Sequence, residues 1–299
     1  MNSTIKRAME LDPIAKLTGP NIEKRNKNLE KGLPGRSHFP WGDAEIRRVV
    51  HLYESGKTLN ELAQLFERSH FAMAVQLKNI GQISEKAFEL IRNEFFIDKK
   101  RTKRIEIENH FLKYKVSSLF HITHRENIKS ILEYGILNFY DAQKLNTSHI
   151  DISNPDVQRW RERIEEHYSR KIHEYSSLYF NPKNAMLRYL WDKKNDLCFL
   201  EVSLLALAEG EYLISDGNAA SQVTKFYNSL DQLNLLSWDI ILAKNWASHD
   251  DGKRKRCAEV LIYPKIQPEY IIKIYCFSID TENYLANCGK IIKLHKDLF

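Results

Sequence analysis

No stretch of this 299-residue chain stays apolar for the ~18 to 20 residues that a membrane span requires. The amino-terminal stretch MNSTIKRAMELDPIAK lacks both an apolar core and a small-residue cleavage site, so neither a secretory leader nor a membrane partner is expected. Cysteine is scarce. Cys198, Cys257, Cys276 and Cys288 form no CxxC pair, so neither a disulfide framework nor a metal site is expected, and the thiols read as those of a cytoplasmic protein. There is no internal repeat and no low-complexity tract, and the strand–helix alternation of a parallel α/β sheet is missing as well. What is present is 43% hydrophobic residues, enough for a real core, beside an ordinary 28% charged. The length suits one large domain or a domain with a smaller module.

Charge is unevenly placed. Residues 1–115 hold 22 Lys and Arg against 15 Asp and Glu, a net of +7, whereas the remainder holds 23 against 24. All the positive excess is therefore amino-terminal, as a polyanion-binding part or a solvated basic surface would have it.

Four segments follow. Residues 1–40, broken by Gly19-Pro20, Gly32, Pro34-Gly35 and Pro40, read as a mostly irregular basic arm. From 41 to 83 the apolar spacing turns helical. Asp43 is the expected cap of a first helix with Ile46, Val49, Val50 and Tyr53 inward, and Thr58-Leu59-Asn60-Glu61 is a capping box for a second with Leu59, Leu62, Ala63 and Phe66 inward. After a break at Arg68-Ser69 comes a third, with Ala72, Val75 and Leu77 apolar. Three short helices of this spacing predict a helix-turn-helix-like module, which binds DNA in some proteins and protein in others. Residues 84–115 predict a helical basic connector carrying Lys99, Lys100, Arg101, Lys103 and Arg104, either a solvated linker or a contact to nucleic-acid phosphates.

From 116 to 299 the pattern is one of short apolar strands between helices in irregular order, hence an α+β domain. Strands are predicted at 118–122, 177–180, 197–203, 240–243, 258–263 and 271–278, and helices at 125–134, 157–166, 185–191 and 221–234.

Three segments here carry candidate chemistry. In Leu119-Phe120-His121-Ile122-Thr123-His124, His121 and Thr123 share one side of a strand, and Gly135 stops the helix that follows. A strand-end His beside a hydroxyl can bond ribose hydroxyls and an amide, or be a satisfied core histidine. Ser177-Leu178-Tyr179-Phe180-Asn181-Pro182 reads as a strand and turn whose aromatic residues can wall a flat ring, or as plain core. Lys253-Arg254-Lys255-Arg256 runs into an apolar strand in which Glu259 stands between Ala258 and Val260. An acid in that place either faces solvent from an edge strand or is a partnered, functional carboxylate facing a cleft.

With these segments in this order, the chain resembles the ADP-ribosyltransferase superfamily and, within it, the DarT-type DNA ADP-ribosyltransferase toxins of toxin–antitoxin systems. The resemblance runs from about 118 to 277 through LFHITHRENIKSILEYGIL, DISNPDVQRWR, SLYFNPKNAML, SDGNAASQVTKFYNSLDQLNLLSWDII and AEVLI. It implies a split mixed or antiparallel sheet with flanking helices. It implies NAD+ as substrate, single-stranded DNA as acceptor and a macrodomain antitoxin as partner. By the same resemblance Glu259 and Arg161 are catalytic, with Arg159 as the alternative arginine because the VQRWR register is ambiguous. His121, Thr123, Asn127, Tyr179 and Arg159 then contact the cofactor. The strand before Asn181-Pro182 is less basic and less proline-rich than in the family, and the amino-terminal module lies outside its minimal domain.

The chemistry is coherent on general grounds. Cleavage of the nicotinamide–ribose bond produces an oxocarbenium-like centre that a carboxylate stabilises. An arginine holds pyrophosphate or base through paired contacts. The acceptor base has to be unpaired, since a duplex hides its nucleophilic atoms. Lys253, Arg254, Lys255 and Arg256, with Lys100, Arg101, Lys103 and Arg104 on the connector, are the expected backbone contacts. Two other readings keep part of this pattern: an NAD-dependent RNA-modifying transferase, and a DNA-binding regulator with a ligand-sensing carboxy-terminal domain.

Overall fold

The computed structural model describes residues 19–145 and 149–299. The chain forms two compact units, one ending at Arg101 and the other comprising Thr102–Phe299.

In the first unit the helices Asp43–Glu54, Leu59–Leu65 and His70–Asn79 bury Val49, Leu62, Phe66, Met73 and Leu77 together. The Thr58 box forms as predicted, with the Thr58 hydroxyl accepting from Glu61 N–H and the Glu61 carboxylate accepting from Thr58 N–H. Asp43 is the first helical residue rather than the cap. The break at Arg68 has a purpose. Its buried guanidinium donates to the Phe39 and Pro40 carbonyls and to Glu45, and lies 3.8 Å over the Trp41 ring. The expected irregular arm is helical over Gly19–Glu30, and Asn28 fastens that helix to the Gly35 and Ser37 carbonyls; residues 1–18 lie outside the described residues.

The connector is one helix, Glu85–Leu112. Its last turns belong to the second unit, whose core takes in Ile107 and Phe111, so that unit begins near residue 102 rather than 116.

The second unit is built on an eight-stranded sheet with small helices against it. Its strands in chain order are β1 Ser118–His124, β2 Ile136–Leu137, β3 Ser176–Tyr179, β4 Leu197–Ser203, β5 Glu211–Ser215, β6 Phe226–Tyr227, β7 Glu259–Tyr263, β8 Lys265–Ile266, β9 Ile271–Cys276 and β10 Ile291–Leu294. The main sheet runs β10-β9-β4-β1-β3-β7-β5-β6, antiparallel except for β10 beside β9, while β2 and β8 pair separately. Period-two alternation divides the side chains. Leu178, Val260 and Ile262 enter the main core, and Leu213 and Leu261 enter a smaller cluster with Ile172, Tyr175 and Phe226. At the centre β1 and β3 share one register pair, Phe120 opposite Tyr179, and separate beyond it. The sheet is thereby split.

Three predicted elements differ. The helix expected over 157–166 ends at Trp160, because Glu165 folds the next loop around itself by accepting from His167, Tyr168 and Arg170 N–H. The strand expected over 240–243 is the end of a helical turn, Trp238–Ile241, and the Ile241 and Ala243 carbonyls converge on the Arg256 guanidinium. The helix expected over 221–234 is a turn closed by Ser221 and Thr224, then β6, then a 3-10 turn over Leu230–Leu235. Its apolar residues pack against the sheet without needing helical spacing.

Gly135 ends the helix Ile128–Tyr134 at φ +91°, and a Cβ there would stand 2.2 Å from the Ile266 carbonyl oxygen. Gly135→Ala is therefore expected to lower stability by about 1–3 kcal/mol, adding steric strain to an unfavourable backbone. For a unit of this size that is roughly 2–12 °C in Tm by calorimetry, and an unchanged Tm would show that β2 and β8 yield freely.

Candidate active site

Tyr179 and Glu259 are register partners on β3 and β7, so they emerge on the same face. Glu259 is fully buried and has no solvent to compensate its charge. Protein groups do so instead. Its Oε1 accepts from Ala219 N–H at 3.0 Å and its Oε2 from Arg161 Nη2 at 2.5 Å. The same guanidinium donates from Nη1 to Ser177 Oγ on β3 at 2.9 Å. Burial opposes the Arg161 charge, but the Glu259 carboxylate more than offsets it and holds the guanidinium above its ordinary pKa.

The loop after β5 exists to present that Ala219 N–H. Ser215 Oγ accepts from Glu259 N–H and donates to the Gly217 carbonyl, both inside the fold. Asp216 pairs with Arg254, and Asn218 Oδ1 accepts from Ala220 N–H. Gly217 admits the arginine, since a Cβ there would meet Arg254 Nη1 at 2.6 Å. Arg163 closes the loop by donating to the Ala219 and Gln222 carbonyls.

A cavity of about 620 Å³ occupies the split between β1 and β3, within the size range of small-molecule sites. His121, Thr123, Asn127, Arg161 and Tyr179 border it, with Lys253 as a basic side chain on its lining. His121 Nδ1 lies 3.1 Å from the Ser177 carbonyl, so it carries the proton and Nε2 is left as an acceptor. Burial lowers the His121 pKa despite that bond, so the ring is neutral at pH 7. Tyr179 is a neutral phenol, its pKa raised well above the ordinary value by burial and then by the Glu259 charge. Thr123 and Asn127 act on the chain. Asn127 donates to Thr123 Oγ1 and to the Ile150 carbonyl and accepts from Ile150 N–H, pinning the segment that closes one side of the cavity. Cys257 also borders the cavity, but burial pushes its thiol up to about 11, which removes it as a nucleophile at neutral pH.

The structure therefore brings together Glu259, Arg161, His121, Thr123, Asn127 and Tyr179. It sets Arg159 apart: that side chain is 78% exposed and pairs with Asp156. The basic run 253–256 divides. Lys253 is exposed and Lys255 partly so, whereas Arg254 is tied to Asp216 and Asp251. Arg256 is a correction to the expected DNA contact. It is buried, and it donates to the Lys183, Ile241 and Ala243 carbonyls, a structural cross-brace. Lys100, Arg101, Lys103 and Arg104 are exposed on their helix; Lys103 donates to the Ala208 carbonyl and Arg104 pairs with Glu108. Sequence reasoning singled out the SDGNAA run without assigning roles in it to Ser215, Asn218 or Ala219, and it left Ser177 out of the site.

The family model for "ssDNA thymidine ADP-ribosyltransferase, DarT" matches residues 120–290. A DNA ADP-ribosyl transferase–DNA ADP-ribosyl glycohydrolase fusion protein of Thermosipho africanus is 35% identical over 165 residues, which is 52% of this chain and 42% of the fusion protein. A DNA ADP-ribosyl transferase of Thermus sp. is 24% identical over 54% of this chain and 81% of its own length. Among solved structures, Thermus sp. 2.9 DarT in complex with ADP-ribosylated ssDNA aligns with a TM-score of 0.56 at 21% identity, over 62% of this chain and 97% of its own. Thermosipho africanus DarTG in complex with ADP-ribose aligns at 0.55 and 26%, over 61% of this chain and 51% of its own.

Ser215 is the buried pivot of the loop that carries Ala219. Ser215→Ala leaves the Glu259 N–H without its partner, so it is expected to cost about 1–3 kcal/mol, read as a shift of the urea midpoint at constant m-value. A midpoint equal to that of the unsubstituted protein would mean that the loop holds itself without the serine.

Proposed function

The chain belongs to the DarT family of ssDNA thymidine ADP-ribosyltransferases, and from that membership we propose that it transfers ADP-ribose from NAD+ onto a base of single-stranded DNA, as a toxin that a macrodomain partner opposes. The observation that carries the proposal is the buried Glu259, held between Ala219 N–H and Arg161, whose own side chain borders a cavity of ligand size.

In this reading NAD+ lies in the split sheet. Tyr179 walls the nicotinamide, and the His121 Nε2 lone pair accepts from a ribose hydroxyl. The C1′–nitrogen bond breaks, nicotinamide leaves with the electron pair, and positive charge develops on the ribose. Glu259 faces that charge and the neighbouring 2′-hydroxyl. A nitrogen of the acceptor base then bonds to C1′ and loses its proton to the carboxylate or to water. Arg161 borders the cavity and Glu259 does not, so the guanidinium has to shift toward pyrophosphate or base for the carboxylate to reach the ribose. The ion pair thus keeps the carboxylate covered until a second anion competes for the arginine. Lys253, with Lys103 and Arg104 on the helix, supplies phosphate contacts, and the amino-terminal unit adds more.

Incubation of labelled NAD+ with single-stranded DNA, duplex DNA, RNA and protein tests the reading; transfer to RNA alone would favour an RNA modifier. Glu259→Gln preserves size and removes the charge, and is expected to reduce transfer by on the order of 10²-fold or more with the fold retained. Arg161→Ala is expected to lower transfer far more than Arg159→Ala. The opposite ranking would transfer the role to Arg159.

The amino-terminal unit is expected to raise affinity without taking part in the chemistry. Residues 1–101 hold 18 Lys and Arg against 13 Asp and Glu. A chain cut to 102–299 keeps Ile107 and Phe111 in its core, and should bind DNA more weakly, with a flatter salt dependence and undiminished turnover at saturating DNA. Loss of turnover at unchanged DNA affinity would place part of the active site in the removed unit.

A further inference from the structure

A second hollow, of about 310 Å³, opens beside the cavity and is lined by Val157, Trp160, Asn218, Ala220, Ser221 and Gln222. It shares Val157 and Asn218 with the main cavity but none of His121, Arg161 or Tyr179. An occupant of the hollow is thus next door to the reacting ribose. Its two walls differ in kind. One is the end of the helix Pro155–Trp160, where the Trp160 indole is 50% exposed although it is the largest apolar side chain on that helix. The other is the loop after β5, with side-chain amides and a hydroxyl at Asn218, Gln222 and Ser221.

The second wall is rigid. Arg163 donates to the Ala219 and Gln222 carbonyls, and the Asn218 carbonyl accepts from Ser221 N–H and Thr224 Oγ1. The same loop gives Ala219 N–H to Glu259. The hollow therefore stands at a set position relative to the carboxylate. A flat aromatic face opposite a rigid row of amides fits one kind of ligand: a planar heterocycle with donors and acceptors on its edge. Stacking on such a ring is indifferent to the base, whereas amides at its edge discriminate. Cationic Arg159, 78% exposed one residue before the indole, suits a phosphate-linked strand.

Resting on the transfer reaction above, we propose that this hollow seats the nucleobase adjoining the modified one, stacked on Trp160 and read at its edge by Asn218, Ser221 and Gln222. Sequence preference around the target then originates here, while the chemistry stays in the cavity.

The test uses the full chain and single-stranded oligonucleotides carrying one modifiable base, with an abasic site placed in turn at each neighbouring position. In the unsubstituted protein one such position is expected to raise the KM for DNA by about tenfold or more, the range for losing a base–aromatic stack. Trp160→Ala is expected to raise it by a similar factor on the intact strand and to become insensitive to that abasic position. Trp160→Phe should recover most of the affinity, and Gln222→Ala should relax base preference at the same position only. The KM for NAD+ and kcat at saturating DNA are expected to hold. A Trp160→Ala protein with unchanged KM for DNA, or one that keeps the abasic sensitivity, overturns the assignment, and so does a rise in the KM for NAD+ alone, which would give the hollow to the dinucleotide. Failure of the unsubstituted protein to modify any single-stranded DNA is a different result, overturning the transfer reading itself.

Discussion

Everything in the second unit is arranged around one carboxylate that has no water. An uncompensated Glu in an apolar interior costs several kcal/mol. The fold removes that cost with one backbone N–H and one guanidinium. Both donors come from far along the chain: Ala219 lies 40 residues from Glu259 and Arg161 lies 98. Satisfying the carboxylate therefore ties the loop after β5 and the segment after the helix Pro155–Trp160 to β7. The walls of the cavity are a consequence of that tie. Removing either donor leaves a buried charge half-compensated, so the pair is a folding constraint in its own right.

The second constraint is the incomplete pairing of β1 and β3. Continuous strands would bring Thr123 and Ser176 side by side and leave no room for a ligand. A single register pair at Phe120 and Tyr179 lets the strands part, and side chains from both faces of the sheet then converge on one opening. Polar groups at the split find other partners. The Ser177 carbonyl accepts from His121 Nδ1, and Ser176 Oγ donates to the Ile136 carbonyl on β2. The first of these sets the tautomer that turns the ring's lone pair toward the cavity.

How much of this was legible in the sequence depends on the range of the interaction. The Thr58 box, the Gly135 stop and the strand β4 were legible because capping, positive φ and an apolar run are local properties. The candidate residues His121, Tyr179, Arg161 and Glu259 were legible from motif order, and the structure gathers them at one place. Failures came where a distant partner decides. The apolar run at 240–243 has strand-like composition, yet Arg256 gathers its carbonyls into a turn. The basic run 253–256 reads as uniform, yet two of its four charges are tied up inside the fold by Asp216 and by three carbonyls. The connector looked separate from the domain because only the tertiary core shows that Ile107 and Phe111 are its floor.

The loop after β5 serves the carboxylate and the second hollow together. It holds Glu259 through Ala219, forms one wall of the second hollow through Asn218 and Gln222, and is braced by Arg163 and by Arg254 through Asp216. A loop that both sets the carboxylate and walls the neighbouring hollow fixes where the hollow stands relative to the charge. Two arginines two residues apart divide the work: Arg161 reaches the carboxylate, and Arg163 reaches the carbonyls of the loop that holds it. Of the two arginines that the sequence leaves open, Arg161 is the one that bonds the carboxylate. Arg161 turns inward to Glu259 on β7 and Ser177 on β3, Arg163 turns to the loop after β5, and Arg159, two residues before Arg161 in the helix Pro155–Trp160, pairs with Asp156 at the surface.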